Sequence, residues 1–169
     1  MNVASLKYFI GVMMLVLVPF SAQALNVAVV DGSQVIKKYQ PAIDAKLKRE
    51  FKDREGQLVA LQADLRKMSD KLQRDKAVLS ATELSKMQTE FQNKERELQR
   101  QGAAFNEDVS LRGNQEMQIL LQKVQTVIDK IAADKKYDMV IQRGAAVYVN
   151  DSLDITPAVL KQLDTDVKI

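Results

Sequence analysis

Large apolar residues recur at every seventh position along most of this chain, in two blocks whose phases do not match. Phe51, Leu58, Leu65, Leu72 and Leu79 form the first comb, with Leu47, Leu61 and Met68 between its teeth. Leu84, Phe91, Leu98 and Phe105 form the second, with Met87 between the first two. A sustained heptad leaves a helix with a narrow apolar stripe that only a partner helix can cover. From Leu79 to Leu84 the step is five rather than seven, so the chain stops there and starts again. The simplest partner for the first helix is therefore the second. Ser80-Ala81-Thr82-Glu83 supplies the reversal, because Ser80 with Glu83 three residues later is the capping-box pattern that opens a helix.

The ends of the chain agree with a hairpin. Residues 26–30 are a short β-branched run closed by Asp31-Gly32, and residues 137–142 and 145–149 read as two more strands around an Arg143-Gly144 turn. Three short strands need one sheet, since an isolated strand or hairpin is marginal. A straight helix from Pro41 to Ala133 would be about 140 Å long and would leave the first strand at its far end. Folding back brings all three together. Ser33 is the expected N-cap of a short helix carrying Val35, Ile36 and Tyr39, and the long helix is expected to restart at Pro41. Thr156 as N-cap and Pro157 at the first helical position predict a last helix with Val159, Leu160 and Leu163 on its apolar face. The fold class is thus α+β, mostly helical: a small three-stranded β body with a long antiparallel, coiled-coil-like hairpin arm of roughly 55 Å. The expected division is a body from residues 25–40 and 115–169 and an arm from 41–114 with its tip near 80–83.

The first 24 residues read as a secretory signal peptide. Lys7 supplies the positive start, residues 8–20 are apolar, and Ala22-Gln23-Ala24 is a small-residue cleavage site. Cleavage after Ala24 is expected, with export of residues 25–169. The net charge of +3 falls to +2 without Lys7, too little to choose a partner. An exported chain without cysteine resembles a bacterial periplasmic protein more than a disulfide-stapled extracellular domain.

Catalysis has little to draw on. Histidine and cysteine are both absent, and no G-x-S-x-G, P-loop or G-x-G-x-x-G spacing occurs. No enzyme, cofactor or metal site is expected. The seam is more informative: Arg54, Asp75, Lys94, Gln101 and Asp108 occupy intermediate heptad positions, and Gly56, Gly102 and Gly113 interrupt the helices. Polar seam residues either fix the register or leave the arm under-packed, bent and with part of its stripe uncovered; both readings stand. Lys67, Lys71, Arg74, Lys76 and Lys86 crowd the distal arm among acidic residues. They form either a solvated face or a tip that touches anionic lipid or envelope polymer. Nucleic acid is not an expected partner, since no aromatic residues interleave these charges. The body is rich in apolar residues for its size, which points to self-association through Val27, Val29, Ile141, Val147 and Val149.

Taken together, the signal peptide, the opening strand 26–30, the charged hairpin and the ending from Tyr137-Asp-Met-Val-Ile to Asp154-Ile-Thr-Pro-Ala-Val-Leu-Lys-Gln-Leu163 resemble the Skp/OmpH family of periplasmic chaperones. The ending is the most specific part, because heptad arms resemble one another in unrelated proteins. The resemblance implies a jellyfish-shaped homotrimer that holds unfolded outer-membrane β-barrel proteins between its arms without ATP. It also implies contact with lipopolysaccharide through basic arm residues, for which Lys67, Lys71, Arg74, Lys76 and Lys86 are candidates. Leu61, Met68, Met87 and Phe91 are candidates for client contact, and each is equally well placed to be seam. Two other classes remain: an envelope coiled-coil adaptor with one saturable partner, and a lipopolysaccharide- or membrane-surface-binding protein.

Overall fold

The structure is a computed structural model that describes residues 24–166. The signal-peptide reading falls on residues 1–23 and lies outside the described residues. In chain order the elements are strand β1 (Val27–Val30), helix α1 (Gly32–Asp75), helix α2 (Ala81–Lys135), strand β2 (Met139–Gln142), 3₁₀ turns at Arg143–Ala145 and Asp151–Leu153, and helix α3 (Thr156–Asp166).

β1 and β2 pair in parallel, with Val27 opposite Met139 and Val29 opposite Ile141. Parallel neighbours need a crossover connection, and here the crossover is the whole helical hairpin. The other side of β1 is occupied by a single bridge from Val29 to Asp154, where the Ile155 N–H donates to the Val29 carbonyl at 2.8 Å. The sheet therefore has two strands, and the third strand expected at 145–149 is not formed within one chain. Arg143–Ala145 coils into a 3₁₀ turn where a hairpin turn was expected. An ion pair from Arg143 to Asp154 draws the chain away from the open edge of β2.

One core ties the sheet to all three helices. Val35, Tyr39 and Ile43 come from α1 at steps of four, Leu120, Val124 and Val127 from α2, and Ile155, Val159 and Leu163 from the last segment. Ala28 and Val30 close the cluster from the sheet. The buried face of α1 spans Pro41, which explains why the helix does not restart there: α1 is continuous through the proline. Proline in a helix interior costs about 3 kcal/mol or more, and the burial of Tyr39 and Ile43 on either side offsets it. The N-cap also differs from expectation. Asp31 rather than Ser33 caps α1, its Oδ1 accepting the N–H groups of Ser33 at 3.0 Å and Gln34 at 3.2 Å. Thr156 is the first residue of α3, and its hydroxyl instead accepts the Asp31 N–H at 2.8 Å.

At the far end α1 stops at Asp75, four residues short of Leu79, and Ser80 opens α2. The Ser80 hydroxyl accepts the Glu83 N–H while the Glu83 carboxylate accepts the Ser80 N–H at 3.1 Å. The two heptad combs meet: Phe51 and Phe105 pack edge to face, 5.8 Å between centroids. α2 ends on Lys136, whose left-handed backbone (φ 55°) lets its N–H reach the last-turn carbonyls and turns the chain into β2.

Three ion pairs cross the hairpin at successive turns next to this aromatic pair. Lys46 meets Glu116 at 2.9 Å, Glu50 meets Arg112 at 3.1 Å, and Arg54 meets Asp108 at 2.7 Å. The partners step by four on each helix and their signs alternate. Sliding one helix by a turn would set Lys46 against Arg112 and Glu50 against Asp108. Exposed pairs contribute only about 0–1 kcal/mol each, so the ladder specifies register more than it adds stability. Glu116 is the exception in burial, its side chain 8% exposed. The Lys46 ammonium holds its carboxyl below the usual glutamate range against the opposing effect of burial, with Arg112 and Lys123 assisting.

A carboxyl whose folded-state pKa is depressed stabilises the fold above its ordinary range, and that stability is lost as pH falls through the lower folded value. Glu116→Gln is therefore expected to lower the urea midpoint at neutral pH, with the gap to the parent closing in acid. A gap that stays constant with pH would contradict the assignment. Leu163→Ala, which empties a fully buried site, is expected to cost about 3 kcal/mol in the same denaturation experiment.

Candidate binding surfaces

The body presents one surface with unusual exposure. Among the described residues β2 pairs only with β1, so its other edge is open. The chain then leaves the sheet at Gln142 and returns to it at Asp154, and between these points Val147 is fully exposed and Tyr148 is 83% exposed. Met139, on β2 itself, is half exposed. Ala146 and Asn150, which flank the bare pair, both have extended backbone. The legs of the loop are fastened to each other by Arg143, whose guanidinium donates to Asp154 and, at 3.4 Å, to Asp151. Burial opposes ionisation of Asp154, but bonds from Thr156 and Arg143 outweigh it and hold the carboxyl below the usual aspartate range.

Of the body residues singled out for self-association, Val147 is bare while Val27, Ile141 and Val149 are half-buried. Val29 is different. It is 2% exposed within the single chain, so its side chain belongs to the protomer interior and is not available as a surface. The reason is its central place in the sheet, with Ile141 opposite on one side and Asp154 on the other. Tyr148 was not anticipated from the sequence. Val147 and Tyr148 are adjacent in a β-branched and aromatic run, which reads as strand and hides the fact that both are uncovered.

On the arm, Leu61, Met68, Met87 and Phe91 are all half-buried along the seam of the hairpin. The large apolar side chains left most open are others: Val59, Val78 and Leu111 on the arm, and Ile119 and Leu121 where α2 enters the body. Ile119 shows why the comb does not find them. It lies two heptads beyond Phe105, yet the buried residue is its neighbour Leu120. A straight helix drifts by ~20° per heptad relative to a strict seven-residue repeat, and two heptads are enough to move the seam by part of a residue. Ile119 faces a shallow groove shared with Val127 and Leu163, edged by Lys123.

Two of the polar seam residues answer each other, since Arg54 pairs with Asp108 and its guanidinium also lies 5.8 Å from the Phe51 ring and 5.9 Å from the Phe105 ring. Lys94 reaches Asp64 across the hairpin at 4.0 Å, and Gln101 donates to Glu97 on its own helix. Near the tip, Lys67, Lys71, Arg74, Lys76 and Lys86 are all exposed. Lys67 and Arg74 share an open recess with Asp70 and Gln73, and Lys67 lies 3.9 Å from Asp64. Among the described residues no helix is long and apolar enough to cross a membrane, and no group of three or more acidic side chains is placed to hold a metal ion.

Comparison with known proteins covers both the body and the arm. The model of the family described as "Outer membrane protein (OmpH-like)" matches residues 26–163. The chaperone protein Skp of Pectobacterium atrosepticum is 32% identical over 146 residues, 85% of this chain and 88% of that protein. The chaperone protein Skp of Yersinia enterocolitica is 30% identical over 145 residues, again 85% and 88% of the two chains. A crystal structure of an OmpH-like outer membrane chaperone from Caulobacter crescentus superposes with a TM-score of 0.77 at 22% identity, covering 86% of this chain and 87% of the other. That likeness establishes the fold: mostly helical, with long helices and a small sheet. With the family model spanning β1 through α3, this chain belongs to the OmpH-like family of outer membrane proteins.

Proposed function

We propose that the chain is an ATP-independent holdase chaperone of the periplasm, which binds unfolded outer-membrane β-barrel proteins in a cavity between the arms of a homotrimer and keeps them from aggregating. The observation that carries this reading is the 30–32% identity to chaperones named Skp along 85% of the chain, arm and body alike. The physical chemistry agrees. A holdase acts by mass action on the unfolded state and must meet many sequences weakly, which suits scattered Val, Leu and Ile on a surface of mixed charge. Client contact falls to exposed Val59, Leu111, Ile119 and Leu121 as well as to Leu61, Met68, Met87 and Phe91 where the seam opens.

The body's open edge supports the same reading. β2 has an unpaired edge, and residues 146–149 are unpaired on the same chain with Val147 and Tyr148 bare; pairing with another copy closes surfaces of this kind. Val27, Ile141, Val147 and Val149 are the residues for that contact, with Met139 and Tyr148 added; Val29 enters only by supporting Ile141. On this reading residues 25–40 and 115–169 are the trimerisation body, 41–114 the arm, and 1–24 a signal peptide cleaved after Ala24. Intact mass of the exported protein is expected to begin at Leu25.

The deciding experiment dilutes an unfolded outer-membrane barrel from urea into the mature chain and follows light scattering and sedimentation velocity. A trimer that gains one client and keeps it soluble is expected. A monomer that leaves the client to precipitate would favour an envelope adaptor. Val147→Asp is expected to weaken assembly and abolish protection together, and an active trimer from that variant would refute the placement of the interface.

A second reading has its own observation: Lys67, Lys71, Arg74, Lys76 and Lys86 are uniformly exposed near the tip. These cations make the arm a candidate for lipopolysaccharide or anionic lipid. Replacing Lys67, Lys71, Arg74 and Lys76 with Ser is expected to abolish salt-sensitive binding to anionic vesicles, and unchanged binding would exclude this site.

A further inference from the structure

We infer that Arg143 is a positioning residue for self-association: it staples the two legs of the 143–154 loop so that Val147 and Tyr148 are presented to a second copy of the chain. The inference rests on the reading of the 146–149 segment as assembly surface, and adds what makes that surface ready to bind.

Two bare apolar side chains on an irregular loop have an obvious alternative, which is to fold back onto the body and bury themselves. The geometry opposes it. Arg143 leaves the sheet directly after β2 and sends its two terminal nitrogens to different carboxylates on the returning leg, Asp154 and Asp151. Asp154 is the stronger anchor, its side chain 13% exposed against 94% for Asp151. Its other oxygen accepts the Thr156 N–H at 2.8 Å, and the Thr156 hydroxyl accepts the N–H of Asp31, the cap of α1. Asn150 adds a local brace, its Oδ1 accepting the Ser152 N–H at 3.0 Å. The loop is therefore tied to the sheet and to the root of the arm, while the segment between the ties bends at Val147 and stays uncovered.

A binding segment held in its bound conformation loses less freedom on association. A planar guanidinium reaches two carboxylates at once, which a lysine ammonium does with poorer geometry. The role assigned to Arg143 is exerted through the backbone of the loop.

The test compares Arg143→Gln and Arg143→Lys, each in the parent and in the Val147→Asp background, by sedimentation over a dilution series and by circular dichroism in urea. In the parent background Arg143→Gln is expected to raise the assembly Kd about tenfold, as befits lost preorganisation, and Arg143→Lys to fall between. In the Val147→Asp background Arg143→Gln is expected to leave the helix content of the dissociated chain unchanged and to lower its urea midpoint only slightly, by the loss of one ion pair to Asp154. Assembly of Arg143→Gln as tight as the parent's overturns the inference. Unfolding of the dissociated chain by the same change also overturns it, because Arg143 would then be a structural residue only. If Val147→Asp assembles normally, the reading of 146–149 as assembly surface is what has failed, and the inference falls with it.

Discussion

A helical hairpin has a single seam to bury, and everything in this protein follows from how that seam is kept in register. Two helices of 44 and 55 residues touching along a narrow stripe could slide by a turn with little change in apolar contact. Alternating charges prevent it. Lys46, Glu50 and Arg54 face Glu116, Arg112 and Asp108 in an order that a one-turn slip converts into repulsions. The edge-to-face pair of Phe51 and Phe105 sits at the end of this ladder. Fixed register at the root places β2 beside β1 and α2 against α3, so the body inherits its geometry from the arm.

Beyond the ladder the arm changes character. Gly56 and Gly102 have nothing within 4 Å of where a Cβ would sit, Asp64 and Lys94 meet across the hairpin there only at 4.0 Å, and the seam residues are mostly half-buried. An arm with its charged cross-links gathered near the root suits a chaperone whose clients have no fixed shape. The two readings of the polar seam residues thus apply to different parts of the arm: Arg54 and Asp108 set register, whereas Gln101 bonds only along its own helix and leaves its stretch loosely packed.

Much of this was legible in the sequence because it is local. The heptad combs, the Ser80–Glu83 box and the apolar faces around Val124, Val127, Val159 and Leu163 depend on residues a few positions apart. What was not legible depends on partners far along the chain. Pro41 looked like a helix start because its cost is local, while the burial of Tyr39 and Ile43 that overrides it is tertiary. Residues 145–149 have the composition of a strand, but a strand exists only where an edge accepts it, and Arg143 pulls this one away. The ion ladder was present as two charge sequences whose meaning appears only when they are read in opposite directions. Among candidate site residues, Val29 lies inside the single chain, a placement that composition does not reveal because an apolar residue of a protomer interior and one of an interface look alike.

The parallel pairing of β1 with β2 has a consequence for how the molecule comes into being. Val27 and Met139 are neighbours in space but separated by almost the entire hairpin in sequence. β1 precedes the hairpin and β2 follows it, so the sheet cannot close until all of α1 and α2 is present. Contacts of such long range are slow to form when the intervening chain is disordered. A hairpin zipped from the Ser80 turn toward the root would carry β2 back to β1 as a paired stem rather than as a loop. The arm would then be the scaffold on which the body closes, and the open β2 edge does not exist until both helices are in place.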